Sequence, residues 1–313
     1  MSEASGWQLS GDAPTAYTRF ALKIMEPWTD DLILAAQCRD GDHVLDVGCG
    51  TGLVANRINL VSRKFCAITG IDINEGMLTA ARRNPQIAWH QGSATELPFA
   101  EGTFDVVLCQ QGLQYFPDRD KAMKEMARVL APGGRIALNV WGALERQPFF
   151  MALVDAIATF LGADARSALE LPFSLNTAEE LRKLAQDARL RNIRVRFEHR
   201  TTRYPTAVGL VTGFMGATPV TAQFLALSDD RRQAFVTHVV ERIASYVDDA
   251  GRAVPQENHF LTASKSGLTR SALSDRSVHC RTSAVIKCPQ TQQKDVGGFF
   301  RPSVFRPARS RAV

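Results

Sequence analysis

The sequence predicts an α/β fold with a doubly wound, mainly parallel sheet, and three observations carry that reading. Short apolar, β-branched runs recur through the first half of the chain, separated by helical apolar patterns. One of them, Val44, Leu45 and Val47, breaks directly into Gly48, Gly50 and Gly52 before a helix begins at Leu53. Past residue 190, two strand-like segments bracket a long helical insertion.

Residues 1–12 read as disordered and 13–265 as one domain. Over 15–38 the apolar positions Ala16, Phe20, Ile24, Leu32, Leu34 and Ala35 suggest one or two helices, with Pro27 at a break or a start. The strand at 44–47 is apolar enough to be buried in a parallel sheet. Its glycine turn lets backbone approach a ligand closely and points helix N–H groups at it, which suits a nucleotide-like or carboxylate-bearing group. A dinucleotide fingerprint would place its third glycine where this chain has Leu53.

A helix over 53–62 leads to a second strand, 67–73, carrying Asp72 at its end. An acid there can take both hydroxyls of a ribose, the alternative being a helix cap. Strands follow at 87–90 and 104–109, the latter delivering Gln110 and Gln111 to the sheet edge that holds Gly48 and Asp72. The stripe of Met123, Met126, Ala127 and Leu130 on a helix over 118–130 reads as core, and 135–141 as the fifth strand. Residues 147–161 form an apolar helix. Thr177 with Glu180 makes a capping box for another, to about 190. Residues 192–199 alternate with Ile193, Val195 and Phe197 on one face, 205–247 is a helical insertion, and 257–264 is the closing strand.

Composition narrows the class. In 313 residues, an apolar fraction of 45% and a charged fraction of 22% suit a soluble globular protein. The chain has no secretory leader pattern and no eighteen-residue apolar run, so no membrane span is expected. Its cysteines lack C-x-x-C pairing, and Cys49, Cys66 and Cys109 read as buried thiols, which fits the cytoplasm. The net charge of +5 resides in the tail, where 266–313 holds nine Lys or Arg against two Asp. The remainder is mildly acidic, a poor footprint for nucleic acid. That tail reads as a basic, disordered appendage, native or not.

Four motifs in order resemble the class I S-adenosylmethionine (SAM) dependent methyltransferases, over about 44–141. They are G-x-G-x-G with Asp46 two residues ahead; Leu97-Pro98-Phe99 with Phe104-Asp105; Phe116-Pro117-Asp118; and the R-V-L-A-P-G-G turn. The resemblance implies a Rossmann-like sheet of seven strands ending in an antiparallel hairpin, with helical lid insertions near 145–176 and 205–250. It implies SAM held by Asp46, Gly48, Cys49, Gly50 and Gly52; by Asp72 and Ile73; by Met77 against the adenine; by Gly92, Ser93 and Ala94; by Gln110 and Gln111; and by Tyr17 on a covering helix. Ser93 departs from the aspartate of most relatives, though its hydroxyl can still accept.

The family also implies a small-molecule acceptor without a metal, in a broad group that includes quinone-biosynthesis C-methyltransferases. Cys109-Gln110-Gln111-Gly112 lacks the Asn/Asp-Pro-Pro-aromatic motif of adenine and glutamine N-methyltransferases and the Pro-Cys of cytosine C5 enzymes. Trp141, Phe173, Phe214 and Met215 are the acceptor-site candidates. No catalytic base is identifiable, since His199 and His259 both fall on sheet-edge strands. A quinone C-methyltransferase and a SAM-binding partner protein without catalysis are the rival readings. Monomer and homodimer are both open.

Overall fold

A computed structural model describes residues 22–61, 66–204, 206–248 and 251–267. Tyr17, the 1–12 segment and the tail beyond 267 lie outside them. Eight strands form one sheet: β1 (His43–Val47), β2 (Ala67–Asp72), β3 (Ala88–Gln91), β4 (Phe104–Gln110), β5 (Leu130–Trp141), β6 (Arg191–Tyr204), β7 (Val247–Asp248) and β8 (Gly251–Ser264). Their order is β3-β2-β1-β4-β5-β8-β6, with the two-residue β7 pairing β8 off that path. The first five are mutually parallel. β8 runs antiparallel between β5 and β6. The expected seven strands and terminal hairpin are therefore present, with β7 as a short addition.

Burial on both faces explains the continuous apolar strands. Val44, Val106, Leu108, Ala137 and Phe260 belong to one core cluster, while their neighbours Leu45, Val107, Ile136 and Leu261 belong to the other. The first cluster is covered by α1 (Leu22–Ala36), α2 (Leu53–Val61), α5 (Pro148–Leu161), α6 (Ala163–Glu170), α8 (Ala207–Met215), α9 (Thr221–Leu225) and α10 (Asp229–Arg242). The second is covered by α4 (Arg119–Val129), with its buried methionine stripe, and α7 (Ala178–Asp187). The short α3 (Glu75–Ala81) follows β2.

Two local expectations are corrected, at Pro27 and at the capping box, and one exposed side chain follows from the sheet order. Pro27 neither breaks nor starts α1 but lies inside it, and Leu34 of that helix is 76% exposed. Phe197 is 58% exposed, because β6 is an edge strand with only β8 beside it. The capping box is half made: Thr177 Oγ1 accepts from Glu180 N at 3.2 Å, but the Glu180 carboxylate goes to Arg119 instead.

Candidate functional site

The glycine turn joins β1 to α2 through three left-handed residues, with φ of +69° at Gly48, +55° at Gly50 and +86° at Gly52. Their surroundings give them different duties. A Cβ on Gly52 would come within 2.5 Å of Trp89 Cη2, so Gly52 makes room for packing and does not line the cleft. A Cβ on Gly48 would press on Phe116 Cζ at 3.3 Å, whereas one on Gly50 meets nothing within 4 Å. The N–H groups of Gly48 and Cys49 both donate to the Ile71 carbonyl, at 2.8 and 3.0 Å, and Gly52 N donates to the Cys49 carbonyl at 2.9 Å. The turn thus offers close backbone approach rather than these donors.

Asp72 closes the turn from the next strand. Its Oδ2 accepts from Gly50 N and its Oδ1 from Asn74 N, each at 2.8 Å. Burial pushes this carboxyl up, and the backbone donors oppose the shift. The cap of α3 is Asn74, whose Oδ1 accepts from Met77 N at 3.1 Å, so the helix-cap reading of Asp72 falls away. Asp46, 1% exposed, accepts from Ala55 N in the first turn of α2 at 3.2 Å. Burial raises its carboxyl to about 7, with the negative charge of Asp72 adding to the rise. Cys49 is a buried thiol held well above its ordinary range by desolvation.

Asp46, Gly48, Cys49, Gly50, Asp72, Ile73, Met77, Gly92, Ser93, Ala94, Gln110 and Gln111 line one cleft at the carboxyl ends of β1, β2 and β4. Such a crevice is where open α/β sheets bind ligands. Two of these residues are engaged more tightly than the sequence suggests. The Ser93 hydroxyl is 2.8 Å from Thr95 Oγ1 and accepts from Thr95 N at 3.2 Å. Gln110 uses both ends of its amide on α1: Nε2 donates to the Met25 carbonyl and Oε1 accepts from Thr29 Oγ1, both at 3.0 Å.

Beside the cleft is a narrow apolar cavity of about 20 Å³, so an aromatic ring would have to widen it; Trp141, Phe150, Phe173, Phe214 and Leu153 are among its lining residues. Phe150 stands 5.3 Å from Trp141, 5.1 Å from Phe173 and 5.4 Å from Phe214 between ring centroids. Three of the four acceptor-site candidates are therefore gathered. Met215 is not among the lining residues and is fully buried in the core. Met25 and Tyr115 line both spaces, and neither was singled out in the sequence. Tyr115 had a signal, as the aromatic just before the Phe116-Pro117-Asp118 block; Met25 had none beyond its place in a covering helix. His199 and His259 line neither space, and burial lowers the His259 imidazole.

The profile of the family described as a methyltransferase domain matches residues 45–138. The 27-O-demethylrifamycin SV methyltransferase of Amycolatopsis mediterranei is 36% identical over 118 residues, which are 36% of this chain and 43% of that one. The demethylmenaquinone methyltransferase of Bacillus subtilis is 31% identical over 183 residues, 53% of this chain and 78% of that protein. This chain belongs to the class I SAM-dependent methyltransferases. The YcgJ protein of Bacillus subtilis shares the fold, with a TM-score of 0.52 at 20% identity over 76% of this chain and 97% of its own. The cleft, the glycine turn and Asp72 at the end of β2 lie at one end of the sheet. Among the described residues no helix is long and apolar enough to cross a membrane, and no three His, Cys, Asp or Glu side chains gather as a metal site.

Proposed function

We propose that this methyltransferase moves the methyl group of SAM to a small, apolar or aromatic acceptor seated in the cavity of Trp141, Phe173 and Phe214. The observation that carries the reading is that Met25 and Tyr115 line both the cleft and that cavity, so two ligands placed in them would meet there.

The cleft fits the cofactor on its own features. Gly50 leaves open space where a Cβ would stand, and the Asp72 carboxylate lines the same cleft. Asp72 would take ribose hydroxyls, Ile73 and Met77 the adenine faces, and Ser93 with Ala94 the adenine edge. When bound, SAM supplies a methyl group on a sulfonium, open to in-line displacement. The protein's share is alignment and exclusion of water, and positioning of this kind contributes on the order of 7–11 kcal/mol in favourable cases.

Among the described residues the lining of the aromatic cavity holds no carboxylate, imidazole or ammonium group, and no base is assigned. The insertions near 145–176 and 205–250 serve as its lid, with Phe214 of α8 edge-on to Phe149 and Phe150 of α5. A quinone-type ring is one acceptor of the right character, as the Bacillus subtilis relative's name suggests. The test is methyl transfer from labelled SAM across phenols, hydroquinones, amines and carboxylates, with and without EDTA. Transfer to apolar aromatic acceptors, unaffected by the chelator, is the expected result; transfer confined to charged aliphatic acceptors defeats the reading.

A further inference from the structure

We infer that Asn139 and Asn258 recognise an uncharged hydroxyl or carbonyl oxygen on the acceptor ring, an inference that rests on the methyl-transfer reading above. Both side chains are 0% exposed, and neither Nδ2 nor Oδ1 of either has a hydrogen-bond partner among the described residues. Buried amides without partners are uncommon because they forfeit their bonds to water and gain nothing in return. Here they are concentrated. Gln111 Nε2 and Gln114 Oε1 are also unpartnered, although the two side chains share one bond at 2.8 Å. Gln111 adjoins Asn139, since its backbone N–H donates to the Asn139 carbonyl at 2.9 Å.

The strand register puts the two asparagines beside Trp141, a wall of the cavity, although neither is itself among the residues that line it. Asn139 lies opposite Phe260, and Trp141 opposite Asn258. Residues directly opposed on paired strands share a face, as do those two apart on one strand, so Asn139, Trp141, Asn258 and Phe260 lie on one side of the sheet. Ile24 and Trp28 of α1 and Phe150 of α5 cover that side. Trp141 is a wall of the aromatic cavity, and the two asparagines are its neighbours along and across the sheet. A ring lying on Trp141 would reach them by parting the side chains that bury both amides. Carboxamides both donate and accept without charge, which suits a neutral hydroxyl or carbonyl better than a carboxylate or ammonium group.

The experiment titrates 1-naphthol and naphthalene into the full chain saturated with S-adenosylhomocysteine, using wild type, Asn139→Leu and Asn258→Leu. Replacing an unsatisfied buried amide by an apolar side chain of similar shape is neutral or stabilising. The expected result is a preference for naphthol of at least about tenfold in wild type, falling to within about threefold in each variant. Melting temperature should hold or rise, and S-adenosylhomocysteine affinity should stay within about twofold. If the amides serve the fold, bonded to one another or through internal water, the variants lose several degrees or fail to fold. That outcome, a preference retained in both variants, or naphthalene binding as well as naphthol in wild type overturns the inference alone. Failure of both rings to bind the wild type overturns the acceptor-cavity reading and this inference together.

Discussion

Gln110 Nε2 donates to the Met25 carbonyl at 3.0 Å, so the last residue of β4 holds the helix that walls both the cleft and the aromatic cavity. With Oε1 bonded to Thr29, the Gln110 amide works as an anchor for α1. Gln110→Leu should therefore cost stability, about 1–3 kcal/mol for buried groups left unpaired, and weaken SAM binding roughly fivefold by loosening the wall. Urea denaturation with calorimetry checks this. Weaker binding at full stability would make Gln110 a ligand contact instead.

The glycines separate by the same logic. Gly50→Ala meets no atom within 4 Å and should cost only the roughly 1–2 kcal/mol of a Cβ at positive φ, while lowering SAM affinity where the backbone meets ligand. Gly52→Ala drives a methyl group into Trp89 and should cost more stability than Gly50→Ala. Comparing the two melting curves decides it, and the reverse order would contradict the packing account.

Phe214 both lines the cavity and packs edge-on against Phe149 and Phe150. A freely mobile lid residue would be cheap to truncate, but these contacts predict that Phe214→Ala costs about 3–5 kcal/mol, as for a core phenylalanine. The milder Phe214→Leu should keep SAM affinity within about twofold and raise the acceptor's KM. Steady-state kinetics with an acceptor found by the transfer screen would show an unchanged KM if the cavity plays no part.

The buried Asp46 gives stability a pH signature. Its folded carboxyl is raised from 3.8 to about 7 by desolvation, so folding is disfavoured progressively as pH climbs through that window and the charged form must be buried. Asp46→Asn removes this dependence while keeping an acceptor oxygen for Ala55 N. Relative to wild type, the variant should gain stability between about pH 4 and 7. Parallel profiles for the two proteins would show that Asp46 does not titrate there.

How far the sequence could be read follows from the range of each interaction. The turn at Gly48, Gly50 and Gly52 and the acid at Asp72 were legible because a strand, a tight turn and a helix are written in neighbouring residues. Local sequence could not reveal that Gln110 reaches Met25, 85 positions away, since the two meet only when α1 crosses the sheet. Alternation marks the strand that carries Phe197 but does not say whether anything covers its face; β6 is the last strand and its Phe197 stays exposed. Met215 follows Phe214 in the same helix, and a turn of about 100° per residue takes it out of the cavity lining and into the core. Tyr17, expected on the covering helix, lies outside the described residues.

The most direct test of the account is calorimetric titration of the full chain with SAM, for wild type and Asp72→Asn. The cleft reading has Asp72 bound to the glycine turn through Gly50 and turned to a ribose when ligand is present. Charge-assisted hydrogen bonds of this kind are worth about 1.5–3 kcal/mol each before compensation by water. The account predicts one SAM per wild-type chain and at least about tenfold weaker binding in the variant, with its circular dichroism unchanged. No binding by the wild type, or a variant within about twofold of it, would contradict the cofactor site.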